Sequence, residues 1–254
     1  MTLLPGADPF RHSGGPTGVV LCHGFTGTPQ SLRPWAEHLA AAGLTVDLPR
    51  LPGHGTTWRD MARTGADDWL RAAEQAFERV RADCDDVFVM GQSMGGCLAL
   101  RLAELHPAAF RGVVLVNPSL ALENKALFFA PLLKRFLPSV KGLADDIKKP
   151  GVHEIGYDRV PVAAAATLPK LWTATRRDLG AVTAPILVYR SPQDHVVGPA
   201  SLRILESGAV NTTVTVRSCD DSYHVATLDY DAAAIFAGSL AFVREHGGRA
   251  AGKE

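Results

Sequence analysis

Four short, unbroken apolar runs punctuate the chain: Val19-Val20-Leu21-Cys22, Val87-Phe88-Val89-Met90, Val113-Val114-Leu115-Val116 and Ile186-Leu187-Val188-Tyr189. A strand covered on both faces has no polar side to alternate with, so runs like these predict buried strands. Between them, apolar residues recur at helical spacing. Leu32, Trp35, Ala36, Leu39 and Ala40 share one stripe, behind Thr28 as a candidate cap and Pro29 at the first helical position. Trp69, Ala72, Ala73, Ala76, Phe77 and Val80 form another, with Asp67 and Asp68 near its start. Strand and helix in alternation predict a mostly parallel, doubly wound α/β sheet, whose ligands sit beyond the carboxyl ends of the strands.

At 254 residues the chain is long enough for one large core. The rhythm breaks over residues 119–180, where no strand run is evident and Pro131, Pro138, Pro150 and Pro161 recur. We expect residues 1–118 and 181–254 to form the core and 119–180 to be an inserted, helical cap. The stretch from Leu127 to Leu137 is the most apolar outside the expected sheet. It suits the cap's own packing surface and the lining of an acyl pocket equally. The tail from Gly247 to Glu254 is expected to be disordered.

Gly91-Gln92-Ser93-Met94-Gly95 lies where the second apolar run gives way to a helix-like run from Gly96 to Leu105. A serine at a sharp strand-to-helix corner needs very small residues two before and two after it, because they pack against each other. The hydroxyl then stands clear of the sheet, at the positive end of the helix behind it. Such a corner suits acyl transfer, with Ser93 as nucleophile. A serine hydroxyl attacks only when a base takes its proton, so a histidine and an orienting carboxylate are expected on later loops. His224 fits, after the alternating run Thr213-Val214-Thr215-Val216 and before a terminal helix beginning near Asp231. His23 and His54 are its rivals in glycine-rich loops on the same face; His23 better suits holding the Gly24 to Gly27 loop. Asp194, directly after the fourth apolar run, gives the order Ser, Asp, His. Asp220 and Asp221 are weaker rivals, being turn residues beside His224, and His195 is expected to point elsewhere. An oxyanion needs two donors: the Met94 amide supplies one, and the Phe25 amide in His23-Gly24-Phe25-Thr26-Gly27 is the candidate for the other.

Lys plus Arg (26) balances Asp plus Glu (26), which argues against nucleic acid or an anionic surface as partner and favours a neutral or small substrate. Cys22, Cys84, Cys97 and Cys219 are far apart, and three of them adjoin apolar runs, a pattern suited to reduced thiols in a cytoplasm. The first ten residues lack a signal-peptide pattern, and no apolar run approaches a membrane span.

Together, His23-Gly24-Phe25-Thr26-Gly27-Thr28-Pro29, Leu51-Pro52-Gly53-His54-Gly55-Thr56, Gly91-Gln92-Ser93-Met94-Gly95-Gly96, Asp194-His195-Val196-Val197 and Ser222-Tyr223-His224-Val225-Ala226-Thr227-Leu228-Asp229 resemble the α/β-hydrolase superfamily. Within it they are similar to the bacterial carboxylesterases and monoacylglycerol lipases of the Bacillus type. The resemblance runs from about Gly18 to His246 and implies a cytoplasmic serine esterase, without metal or cofactor, that cleaves a small acyl ester such as a monoacylglycerol. It also implies a cap glutamate near the glycerol head, for which Glu154 in Val152-His153-Glu154-Ile155-Gly156-Tyr157 is the candidate. A short-chain carboxylesterase, a thioesterase or an acyltransferase would use the same triad, and a hydrolase-like binding protein would keep the pocket alone. An exposed Leu127 to Leu137 run would let the cap touch a lipid interface or form a weak dimer in place of a monomer. Epoxide hydrolases and dehalogenases of this fold need a carboxylate where Ser93 stands.

Overall fold

The structure, a computed structural model, describes residues 2–121, 137–142 and 145–248. The Leu127 to Leu137 run, apart from Leu137, and the tail beyond residue 248 lie outside the described residues. Seven strands form one sheet in the order β1-β3-β2-β4-β5-β8-β9. They are β1 (Phe10–His12), β2 (Thr17–Cys22), β3 (Thr45–Leu48), β4 (Asp86–Gln92), β5 (Gly112–Val116), β8 (Ile186–Arg190) and β9 (Val214–Ser218). Only β1 runs antiparallel to its neighbour. The sheet is therefore the mostly parallel one that the alternating pattern predicts.

The unbroken apolar runs are buried on both faces because successive side chains enter opposite layers. Val20, Val89, Leu115 and Val188 face the cluster holding Trp69, Phe77 and Leu98; these come from α3 (Ala66–Asp83) and α4 (Met94–Leu105). Val19, Met90, Val114 and Leu187 face the cluster of Trp35, Leu39, Ile235 and Val243, from α1 (Arg33–Ala41) and the terminal helix α8 (Ala232–His246). Each large side chain buried in this way contributes about 1.5–3 kcal/mol of transfer free energy. Thr28 caps as expected, accepting from the Gln30 amide, but the turn it opens is a 3-10 turn, Pro29–Ser31, and α1 begins only at Arg33. At α3, Asp68 reaches back to the Gly65 amide at 3.1 Å.

Between β5 and β8 the expectation of no strand fails. Ser139–Lys141 (β6) and Arg159–Pro161 (β7) form a small antiparallel ladder beside the main sheet. Three-residue strands carry too few positions to show a period. The helices that follow are α5 (Val162–Ala165) and α6 (Leu168–Asp178), and α6 packs on α4, where Cys97 meets Thr175. After β8 comes α7 (Ala200–Gly208). Among the described residues no helix is long and apolar enough to cross a membrane.

Candidate active site

β4 ends at Gln92 and α4 starts at Met94, so Ser93 alone makes the corner, with φ 55° and ψ −120°. A non-glycine residue there is strained by about 1–3 kcal/mol. The corner is held by four backbone bonds: the Ser93 amide donates to the Val116 carbonyl (3.0 Å), and the Ser93 carbonyl accepts from Gly96 and Ser119 (3.0 Å each) and from Cys97 (3.3 Å). A β-carbon at Gly91 would overlap the Gly95 carbonyl oxygen. One at Gly95 would overlap the Cys22 carbonyl oxygen and crowd that of His23 at 2.6 Å. Backbone cannot rotate away, so Gly95→Ala is expected to cost about 3 kcal/mol or more. That lowers Tm by roughly 6–12 °C in a chain of this size, which a thermal melt would register.

Ser93, Asp194 and His224 line one cavity of about 780 Å³, together with Phe25, Met94 and Glu154. His224 Nδ1 meets Asp194 Oδ2 at 2.9 Å. That contact puts the imidazole proton on Nδ1 and leaves Nε2 as the basic nitrogen. The amides of Val196 and Val197 both donate to Asp194 Oδ1 at 2.8 Å. Burial works to raise the Asp194 carboxyl, but the hydrogen bond and charge of His224 and the two amides outweigh it, so its pKa lies below the ordinary value. The rivals are elsewhere: Asp220 bonds the Ser218 hydroxyl, and Asp221 is exposed and pairs with Lys148.

The loop after β2 lies against the corner, since a β-carbon at Gly24 would stand 3.6 Å from that of Ser93. Neither the Phe25 nor the Met94 amide has a hydrogen-bond acceptor among the described residues. His23 spans this loop and the next. Its Nδ1 lies 3.0 Å from the Gly24 carbonyl, and its Nε2 accepts from the Leu51 amide at 3.1 Å. Burial and the neighbouring His54 hold His23 well below the ordinary histidine range, and burial pushes His54 down to about 4. Both are neutral packing residues, set edge to face at 5.0 Å.

Glu154 is half-buried over the same loop, where a β-carbon at Gly27 would come within 2.5 Å of its Oε1. Gln30 pins the segment with both ends of its amide, donating to the His153 carbonyl (3.1 Å) and accepting from the Ile155 amide (3.0 Å). The Tyr157 amide donates to the Thr26 carbonyl at 3.1 Å. Burial raises the Glu154 carboxyl to about 7, against the lowering effects of the His224 charge and the Ser31 hydroxyl.

Residues 17–231 match the Hydrolase_4 family, described as serine aminopeptidase, S33. The chain belongs to this family. The hydrolase is 42% identical to the thermostable monoacylglycerol lipase of Bacillus sp. (strain H-257), over 97% of its own length and 98% of the relative's. It is 24% identical to the carboxylesterase of Bacillus subtilis (strain 168), over 87% and 89%. Its fold superposes on a structure from the metagenome-derived lipolytic enzymes LipS and LipT with a TM-score of 0.93, at 38% identity, covering 96% of this chain and 100% of that one. The Paleococcus ferrophilus monoacylglycerol lipase shares the fold, with a TM-score of 0.75 at 20% identity over 94% and 100%.

Three residues of the hydrolase that sequence reasoning passed over hold the loops that carry His224 and Asp194. Asn117, at φ 45° beyond β5, donates to the His224 carbonyl (2.9 Å) and accepts from the Ser191 amide (2.8 Å). Asp146 accepts from the His224 amide through Oδ2 (3.1 Å) and contacts His195 Nδ1 through Oδ1 (2.7 Å). His195 is among the residues that line the cavity, and its ring is turned to Asp146 and set against Tyr223. Arg190 is the third, and it contacts Asp194 itself.

Proposed function

We propose that this hydrolase cleaves carboxylic esters through an acyl-enzyme on Ser93, with monoacylglycerol as the preferred substrate. The observation that carries this reading is the gathering, in one cavity, of a strained corner serine, a carboxylate-bonded histidine and two unbonded amides. His224 Nε2 takes the Ser93 proton while Ser93 Oγ bonds to the ester carbonyl carbon. The Phe25 and Met94 amides receive the developing oxyanion, each contributing about two to three orders of magnitude in turnover. As the tetrahedral adduct collapses, the alcohol leaves with the proton from His224. Water, deprotonated by the same nitrogen, then bonds to the acyl carbon, and the fatty acid is released as the bond to Ser93 Oγ breaks and that oxygen takes the proton back from His224. Asp194 fixes the tautomer and offsets the imidazolium charge.

The substrate reading draws on the 42% identical monoacylglycerol lipase and on the mixed lining of the cavity. The lining includes Met94, Val140, Val160, Leu168 and Trp172, apolar side chains suited to one acyl chain, and Glu154 and Asp145, carboxylates suited to free hydroxyls. We read residues 119–180 as the cap over this cavity. A cytoplasmic setting suits the four free thiols, of which Cys22, Cys97 and Cys219 are buried and raised to about 12 by burial. Turnover of mono-, di- and triacylglycerols beside nitrophenyl esters of graded length tests the substrate. Selective cleavage of monoacylglycerols is expected; cleavage of short nitrophenyl esters alone would point to a general carboxylesterase.

Glu154→Gln checks the polar part of the lining. An ionised carboxylate accepts a glycerol hydroxyl more strongly than a neutral amide does. Assayed well above pH 7, where the carboxyl is ionised, the variant is expected to raise KM for monoacylglycerol about tenfold, equivalent to about 1.4 kcal/mol, with little change for nitrophenyl esters. Folding moves this carboxyl up from 4.5 to about 7, so the folded state holds the extra proton between those values. Stability is then lost as pH rises across that window. Melts of wild type and Glu154→Gln from pH 4.5 to 7 should differ in that slope.

A further inference from the structure

Arg190 closes β8 and turns its guanidinium back onto the carboxylate four residues later. Nη1 donates to Asp194 Oδ2 at 2.7 Å, the same oxygen that meets His224 Nδ1 at 2.9 Å. Nη2 donates to the Val197 carbonyl at 2.6 Å, and Nη1 lies 3.4 Å from Asn117 Oδ1. The side chains are 12% and 0% exposed. With the Val196 and Val197 amides on Oδ1, four donors surround the carboxylate. A permanent cation therefore shares the oxygen through which Asp194 acts on the imidazole.

We propose that Arg190 is a positioning residue that fixes the Asp194 carboxylate and offsets part of its charge, so that His224 acts as a base in more acidic solution than Asp194 alone would permit. This rests on the triad reading above. The surroundings of His224 make the direction clear. From the β8 loop come Asp194 and Arg190. From the segment between β6 and β7 come Asp146, whose Oδ2 accepts from the His224 amide, and Glu154, whose carboxyl responds to the His224 charge. His195 is held at Asp146 Oδ1, and Tyr223 packs on its ring. Asp194, Asp146 and Glu154 all favour the imidazolium, and Arg190 opposes them. A unit charge within about 6 Å of a buried imidazole is worth about one pH unit after screening.

The test is the pH dependence of kcat/KM for a nitrophenyl ester in wild type, Arg190→Gln and Arg190→Lys. Gln keeps a donor toward Asp194 without the charge; Lys keeps the charge without the fork. The acid limb of Arg190→Gln is expected about one pH unit higher, a roughly tenfold loss well below the midpoint with a much smaller loss above it. Arg190→Lys should return the limb toward wild type. A uniform loss at every pH with the limb unmoved would overturn the proposal and leave Arg190 a packing residue. If Arg190→Gln does not fold, the Lys profile decides: a limb displaced as far as one pH unit despite the retained charge also overturns it. Labelling with a fluorophosphonate above the limb separates the two readings. An unlabelled wild-type Ser93 overturns the triad itself, whereas a labelled Ser93 with an unmoved limb overturns only the role of Arg190.

Discussion

Ser93→Ala is expected to lower kcat for ester hydrolysis by about five to six orders of magnitude, leaving only what the remaining groups do for a water attack. The fold should survive, since the lost hydroxyl takes part in none of the four backbone bonds that hold the corner. Alanine keeps the φ of 55° and its strain. Ser93→Gly, equally inactive, should melt slightly higher, because glycine occupies that region without the side-chain penalty. Steady-state rates at high enzyme concentration, with circular dichroism to establish folding, check both. Ester turnover within a hundredfold of wild type in folded Ser93→Ala would remove Ser93 from the mechanism.

Asp194→Asn carries the second-largest expected loss, about four orders of magnitude in kcat. The amide is nearly isosteric, but where the carboxylate accepts at both oxygens it presents a donor at one of them. Four donors converge there: the Val196 and Val197 amides, Arg190 and His224. If the amide nitrogen faces His224, Nδ1 must become the acceptor and the proton moves to Nε2, the nitrogen that should be basic. Arg190, 12% exposed, would also lose its buried counter-charge. Breaking a buried pair in this way costs about 3–5 kcal/mol, so the variant should melt well below wild type. Activity within tenfold of wild type would contradict the role of Asp194.

The fold was legible where strands are covered on both faces, because burial on both sides leaves no polar position to interrupt the run. β3 escaped notice because Asp47 interrupts it. That carboxylate is 3% exposed and is paired with Arg79 at 2.8 Å and Arg11 at 3.3 Å. β1 escaped because an exposed edge strand of Phe, Arg and His has no apolar pattern to show. β9 was placed from its alternation, yet the structure leaves Val216 39% exposed, as the outermost strand has a neighbour on one side only.

In the site, Ser93, Asp194 and His224 were legible because each stands at the carboxyl end of a strand in a short loop of characteristic spelling. Asn117 and Asp146 were not, because their meaning is tertiary. They reach His224 across 107 and 78 positions of chain, and nothing local distinguishes them from other surface amides and acids. Arg190 lies only four residues from Asp194, but a basic residue at the end of a strand is ordinarily solvated. Only the fold turns it inward.

The central claim is that the ester's acyl group passes through Ser93. The most direct measurement is to mix wild-type enzyme with excess nitrophenyl acyl ester, quench with acid within the first turnovers, and map the peptides by mass. The account predicts one acyl group on the peptide carrying Ser93, absent from Ser93→Ala. Acylation of another residue, or rapid ester turnover with no acylated peptide, would contradict it.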